Sequence, residues 1–145
     1  MTAITRIDAQ IHTATDALAG TDGDVYIGIG GREFNADSSD NDFEPGSNPI
    51  YTFGDGHNVL FPDTNDPRNP QLDTADVNKF PVYVRFEPPP APDPLPPAFL
   101  QDWHLASVTV TVNPGPSQVQ FSRLIGAPAL WLGQTMGKVC YLKSQ

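Results

Sequence analysis

Apolar and polar residues alternate with a period of two along most of the chain. The stretch RIDAQIHTA places Ile7, Ala9 and Ile11 on one face, and VYIGI does the same with Val25, Ile27 and Ile29. FPVYVRF repeats the pattern with Val82, Val84 and Phe86, and LASVTVTV with Val108, Val110 and Val112. Side chains of an extended strand point alternately to its two faces, so each run reads as a half-buried strand. IYTFG, VQFSRLI, ALWLG and GKVCYLK are shorter candidates. Roughly eight strands separated by Gly, Pro, Asn and Asp turns predict an all-β protein, a two-sheet antiparallel sandwich. No stretch carries a convincing stripe of helical period.

Two segments read as long loops. FPDTNDPRNPQLDTADVN is polar and rich in turn residues, while EPPPAPDPLPPAF is dense in prolines, which cannot donate to a ladder and favour an extended connector. Neither marks a domain boundary. At 145 residues the chain has the length of one domain, predicted to span residues 1–145, and can bury roughly 68–70% of the surface its unfolded form exposes. The single cysteine, Cys140, reads as a small apolar residue packed in a strand. The opening MTAITRIDAQ lacks the apolar core of a signal peptide, and no run approaches the ~18 apolar residues of a spanning helix. A soluble protein is expected, with peripheral membrane association compatible.

The formal charge of −9 argues against nucleic acid, because displacing counterions from phosphates needs a Lys/Arg surface. It also disfavours direct attraction to an anionic membrane. The acidic residues gather in turns. AGTDGDVYIGIGG joins Asp22 and Asp24 to a strand; its glycines are not a dinucleotide loop, since no helix follows to meet a pyrophosphate. NADSSDNDFEPGS crowds Asp37, Asp40, Asn41 and Asp42, and Asp102 stands directly before the strongest strand. Crowded carboxylates repel unless a cation neutralises them, and hard oxygens with turn carbonyls suit calcium. The spacing is not that of an EF-hand. Turn capping by Asp, Asn and Ser explains the same composition at least as well.

Intrinsic catalysis has little support. His12, His57 and His104 lack metal-ligand spacing, and no Gly-x-Ser-x-Gly elbow occurs.

Three pieces in this order, AGTDGDVYIGIGG, DNDFEPGSNPIYTF and QDWHLASVTV, resemble the PLAT (polycystin, lipoxygenase, alpha-toxin) domain, and most of all the calcium-binding C-terminal domain of bacterial alpha-toxin phospholipases C. The resemblance implies an eight-stranded PLAT-like sandwich that binds Ca2+ through loops at one end and then docks on phospholipid. By position it implies backbone oxygens of Gly20 and Thr21, side chains of Asp37, Asn41 and Asp42, and Asp102 with the carbonyl of Trp103. Asp40 stands where the family can have glycine, and Leu18 where the alpha-toxin pattern has an aspartate. The expected function is a noncatalytic module whose partner is a phospholipid membrane surface. A calcium-independent protein-interaction module, or an accessory domain of a lipid-processing enzyme, is the alternative. Trp131 in APALWLG is the candidate membrane contact, although an aromatic in a short strand more often belongs to a core.

Overall fold

The computed structural model describes residues 2–90 and 102–145; most of the proline-rich connector lies outside them. The described residues form two antiparallel sheets packed face to face around one hydrophobic core. The first contains β1 (Arg6–Thr13), β4 (Ile50–Gly54), β6 (Trp103–Val112), β7 (Val119–Arg123) and β10 (Lys143–Ser144) in the order β10-β7-β6-β1-β4, with β8 (Leu130–Leu132) paired to the start of β6. The second has the order β3-β2-β5-β9, from β2 (Asp24–Ile29), β3 (Arg32–Asn35), β5 (Tyr83–Glu87) and β9 (Val139–Tyr141).

The alternation sorts as expected. Ile7, Ala9, Ile11, Val25, Ile27, Ile29, Val84, Phe86, Val108, Val110 and Val112 are all buried. In β6 the inward phase changes between Leu105 and Val108, where the register with β1 shifts at His12/Thr13. Such a bulge rotates the strand, so Trp103 and Leu105 face the same core as the valines beyond it.

Three features differ from the sequence reading. First, REFN forms the extra strand β3, joined to β2 by Gly30 and Gly31 at φ of 61° and 79°. Two consecutive left-handed residues make the two-residue hairpin turn that matches strand twist, which glycine adopts without a Cβ clash. Second, GKVCYLK is not one strand. It changes sheets: β9 pairs with β5, Leu142 donates its N–H to Val82, and β10 pairs with β7. Third, the polar segment after β4, read as a long loop, packs apolar residues of its own against the sandwich. Val59, Leu72 and Val77 are buried, and a 3₁₀ turn, Thr74–Asp76, is closed by an Asp73–Asp76 capping box. This segment covers one edge of each sheet. Asn58 accepts from Thr52 N and donates to Ile50 O on β4, and Asn65 accepts from Asn35 N at the end of β3. Exposed edge groups are thereby satisfied by side-chain amides.

Candidate metal centre

The ends of β1 and β3 and the starts of β2, β4 and β6 meet at one end of the sandwich. Beneath the loops there, an aromatic cluster forms the floor. Phe43 stacks on Tyr51 at 5.6 Å and meets Trp103 edge-on at 5.4 Å, and Phe86 lies 5.8 Å from Trp103 between ring centroids. Trp103 is fully buried, and its Nε1 donates to Thr13 Oγ1 at 2.9 Å. The Trp103 side chain is therefore structural. The first loop lies on this floor: Thr21 N donates to Phe43 O at 3.1 Å. A Cβ on Gly20 would stand 2.9 Å from that same carbonyl oxygen and 2.8 Å from Pro45 Cδ, so only glycine permits so close a pass.

Above the floor opens a cleft of about 240 Å³, lined by residues 21–25, 35–37 and 40–43. Asp22, Asp24, Asp37, Asp40 and Asp42 all line it, and no Lys or Arg does among the described residues. Of the residues expected as ligands, Thr21, Asp37, Asp40, Asn41 and Asp42 reach this cleft, whereas Gly20, Asp102 and Trp103 do not. Asp22 and Asp24, the less favoured acids of the first turn, line it too. Their presence follows from the β2–β3 hairpin, because a strand starting at Asp24 begins beside the residues that follow β3.

The carboxylates are already partly organised. Asp42 accepts from Ser38 N and Oγ at 2.8 and 2.6 Å and from the Tyr51 hydroxyl at 2.8 Å. Burial, then Asp42, keep that hydroxyl protonated far above the usual tyrosine range. Burial, followed by the neighbouring Asp42 and Asp24, raises the Asp37 carboxyl above its ordinary value, as expected where like charges share a poorly solvated site. Asn41 Nδ2 donates to Glu44 at 2.6 Å. Asn35 Oδ1, on the cleft wall, is buried without a hydrogen-bond partner among the described residues. An orphaned acceptor beside acidic oxygens fits a hard cation better than it fits a dry fold. Yet no three His, Cys, Asp or Glu side chains among the described residues already converge on a metal-holding point, so an ion here would have to draw its donors inward.

Asp102 occupies a separate niche. Its Oδ1 is buried and unpartnered among the described residues, and a Cβ on Gly133 would lie only 2.0 Å from it. Close by, His104 N donates to Ala19 O, and His104 Nδ1 meets Asp16 at 2.8 Å. Asp16 is the carboxylate nearest to Leu18 in the chain, and it is held on this histidine; Leu18 itself is 79% exposed. Trp131 lies flat on His104, with ring centroids 4.1 Å apart and planes 1° from parallel. It is half-buried on the outer face of the sheet, not in the core.

Solved structures supply the comparison. The chain matches the alpha-toxin of an avian strain of Clostridium perfringens over 97% of its own length and 32% of the toxin chain, at 23% identity and a TM-score of 0.63. It matches the alpha toxin of Clostridium absonum over 98% and 32%, at 22% identity and a TM-score of 0.61. It matches coral 8R-lipoxygenase, whose structure is described as showing calcium activation via a C2-like domain, over 96% and 17%, at 18% identity and a TM-score of 0.59. The fold is PLAT-like. The chain spans about a third of the toxins and about a sixth of the lipoxygenase. No family model matches the chain, and no curated protein does. Among the described residues no helix is long and apolar enough to cross a membrane.

Proposed function

We propose that this PLAT-like chain is a noncatalytic module that binds phospholipid surfaces through calcium. The observation that carries the reading is the acidic cleft, with raised Asp37, orphaned Asn35 Oδ1 and no Lys or Arg among its described lining residues. Thr21, Asp37, Asp40, Asn41 and Asp42 would hold the ion, with Asp22 and Asp24 as further carboxylates. Gly20, Asp102 and the carbonyl of Trp103 would serve a neighbouring position beside the first loop. Calcium supplies positive charge that bridges carboxylates and lipid phosphates. The protein supplies oxygen donors and a rigid aromatic floor. Because the donors must be drawn together, binding in the 10⁻⁴ to 10⁻³ M range of extracellular modules is expected. Trp131, half-buried beside His104, would be a secondary contact.

Thermal unfolding and vesicle co-sedimentation, each with calcium and with chelator, test the reading. Calcium at 100 times its dissociation constant stabilises by about 2.7 kcal/mol, on the order of 5–10 °C in Tm for a domain of this size. An unchanged Tm at saturating millimolar calcium rejects the metal. A raised Tm with vesicles left unbound rejects the lipid and keeps the metal.

A further inference from the structure

The two sides of the sandwich treat their strand edges differently. On one side the edges of β3 and β4 are closed by the amides of Asn65 and Asn58. On the other, β9 is the last strand of its sheet, and no strand or side-chain amide covers it among the described residues. Its free groups follow from the register. Phe86 N donates to Lys138 O and Leu142 N to Val82 O, each at 2.8 Å, so the residues bonded to β5 are 138, 140 and 142. In an antiparallel strand the residues between them turn their N–H and C=O the opposite way. Val139 and Tyr141 therefore point two donors and two acceptors away from the sheet, and none has a partner among the described residues. An edge left like this is a template for one more strand.

The charge around this edge is opposite to that of the chain, which carries 8 Lys and Arg against 17 Asp and Glu. Four of these cations sit in ion pairs, and Arg32 donates to the carbonyls of Pro70 and Asn69. The remaining three, Arg123, Lys138 and Lys143, have no acidic partner among the described residues, and all three border β9. Lys138 directly precedes the strand, and Lys143 opens β10 just after it. Arg123 reaches it from the facing sheet: it ends β7 opposite Val108, a core-facing valine, and its charge opposes the rise that burial imposes on the Cys140 thiol. Lys138 and Cys140 share one phase of the strand, so these cations lie toward the inner side of the edge. The other phase is apolar and aromatic. Val139 is half-buried and Tyr141 is 58% exposed, its ring packed edge-on against Tyr83 with centroids 6.2 Å apart.

We propose that β9 is the docking edge for an acidic, extended segment of a partner protein, which joins the four-stranded sheet as one more strand. The occupant alternates in character. Its backbone pairs with Val139 and Tyr141, its acidic residues on one face meet Lys138 and Arg123, with Lys143 beyond them, and its apolar residues on the other face cover Val139 and Tyr141. Charge selects this occupant over a second copy of the chain, because pairing β9 with β9 sets the lysines of the two copies beside one another. Lysines also guard strand edges against aggregation. That role accounts for Lys138 and Lys143 but leaves Arg123, on the facing sheet, without a purpose. The edge shares no residue with the acidic cleft, so calcium is not a condition for docking here.

The probe is a short peptide of alternating valine and glutamate, capped at both ends and titrated into the whole chain in chelator at low ionic strength. Bound peptide should slow amide hydrogen exchange at Val139 and Tyr141, which exchange fast in the free protein; Cys140, paired with Val84, is protected in both states. Lys138→Glu/Lys143→Glu should weaken binding on the order of tenfold with Tm little changed, since both side chains are exposed. Val139→Pro removes a donor that faces away from β5, where an edge strand accepts proline, and should abolish binding. If that variant unfolds, the peptide itself decides on the wild type: N-methylation of its valines, whose N–H groups face β9, should abolish binding, and N-methylation of its glutamates should spare it. No protection of Val139 and Tyr141 at millimolar peptide overturns the proposal, and so does binding that survives Val139→Pro or valine N-methylation. A dimer of the free chain that Val139→Pro abolishes assigns the edge to a second copy instead. Sedimentation with phosphatidylserine vesicles in chelator that Lys138→Glu/Lys143→Glu abolishes assigns the cations to lipid; either result overturns the partner strand.

Discussion

Asp42→Ala is the sharpest probe of the cleft, because the structure makes its two effects opposite in sign. The wild-type carboxylate receives three donors, two from Ser38 and one from Tyr51. Ser38 is half-buried and recovers water, so its two lost bonds cost about 0.5–1 kcal/mol each. Tyr51 is 1% exposed, and its hydroxyl, left without a partner, costs about 1–3 kcal/mol. Against this, removing one of several crowded carboxylates relieves repulsion of Asp37 by about 1 kcal/mol at the effective dielectric of a partly solvated site. The net loss without calcium is therefore about 1–4 kcal/mol, roughly 3–12 °C in Tm. Tyr51→Phe isolates the orphan. That substitution removes the hydroxyl without stranding it, so Asp42→Ala/Tyr51→Phe should be about 1–2 kcal/mol more stable than the sum of the single losses. Urea or thermal unfolding of the four proteins in chelator measures the coupling. Repeating it in calcium should raise the Tm of Tyr51→Phe as in the wild type and leave Asp42→Ala unmoved. Strict additivity in chelator would refute the assigned hydrogen bond; a full calcium shift in Asp42→Ala would remove Asp42 from the ion's ligands.

The aromatic floor predicts that Trp103→Phe loses about 2–4 kcal/mol by the same measurement, since it opens a cavity and strands Thr13 Oγ1, a residue fully buried in β1. Gly133→Ala should force Asp102 from its niche, costing roughly 1–3 kcal/mol of overpacking and lowering Tm. On the outer face, Arg85 bonds both Glu33 oxygens at 2.8 and 3.0 Å, and Tyr83, pushed up to about 12 by burial and by Glu33, adds a third donor at 2.8 Å. The Arg85 hydrogen bond, ahead of the opposing burial, lowers the Glu33 carboxyl below its ordinary value. A carboxyl depressed on folding stabilises above its unfolded pKa and loses that contribution as pH falls through the folded value. Glu33→Gln should therefore lower Tm at neutral pH and flatten its fall in acid, the two proteins converging as pH drops through the folded value of Glu33.

Much of the sandwich was legible because burial on one face imposes period two, and the four strongest runs obey it. What escaped was set by tertiary pairing. REFN has one buried residue in four, too few to show a period, and its strand identity comes from the Gly-Gly turn that hydrogen-bonds it to β2. GKVCYLK reads as a single alternating run, yet it changes sheets at Leu142, because a strand's partner is not written in its own alternation. The polar segment after β4 reads by composition as a long loop. Its three buried apolar residues are spaced too far apart to form a periodic signal, and its role in covering sheet edges depends on Asn58 and Asn65 meeting strands distant in the chain.

The acidic end shows the same division between local chemistry and assembled geometry. Crowding of Asp37, Asp40, Asn41 and Asp42 is visible in the sequence, and the structure turns four of the six positions from 37 to 42 toward one cleft. That Asp22 and Asp24 join them follows only once β2 and β3 form a hairpin, which brings the start of one strand beside the end of the other. The same hairpin places Asn35 on the cleft wall, where its N–H is taken by Asn65 and its Oδ1 is buried without a partner among the described residues. Consequently the edge cover and the cleft are mechanically one unit: Asn65 clamps the Phe61 turn, satisfies β3 and fixes the wall of the acidic site. Asn65→Ala should loosen all three together, so its effect on calcium response and on vesicle binding should exceed its effect on Tm, whereas a merely structural asparagine would lower the three in proportion.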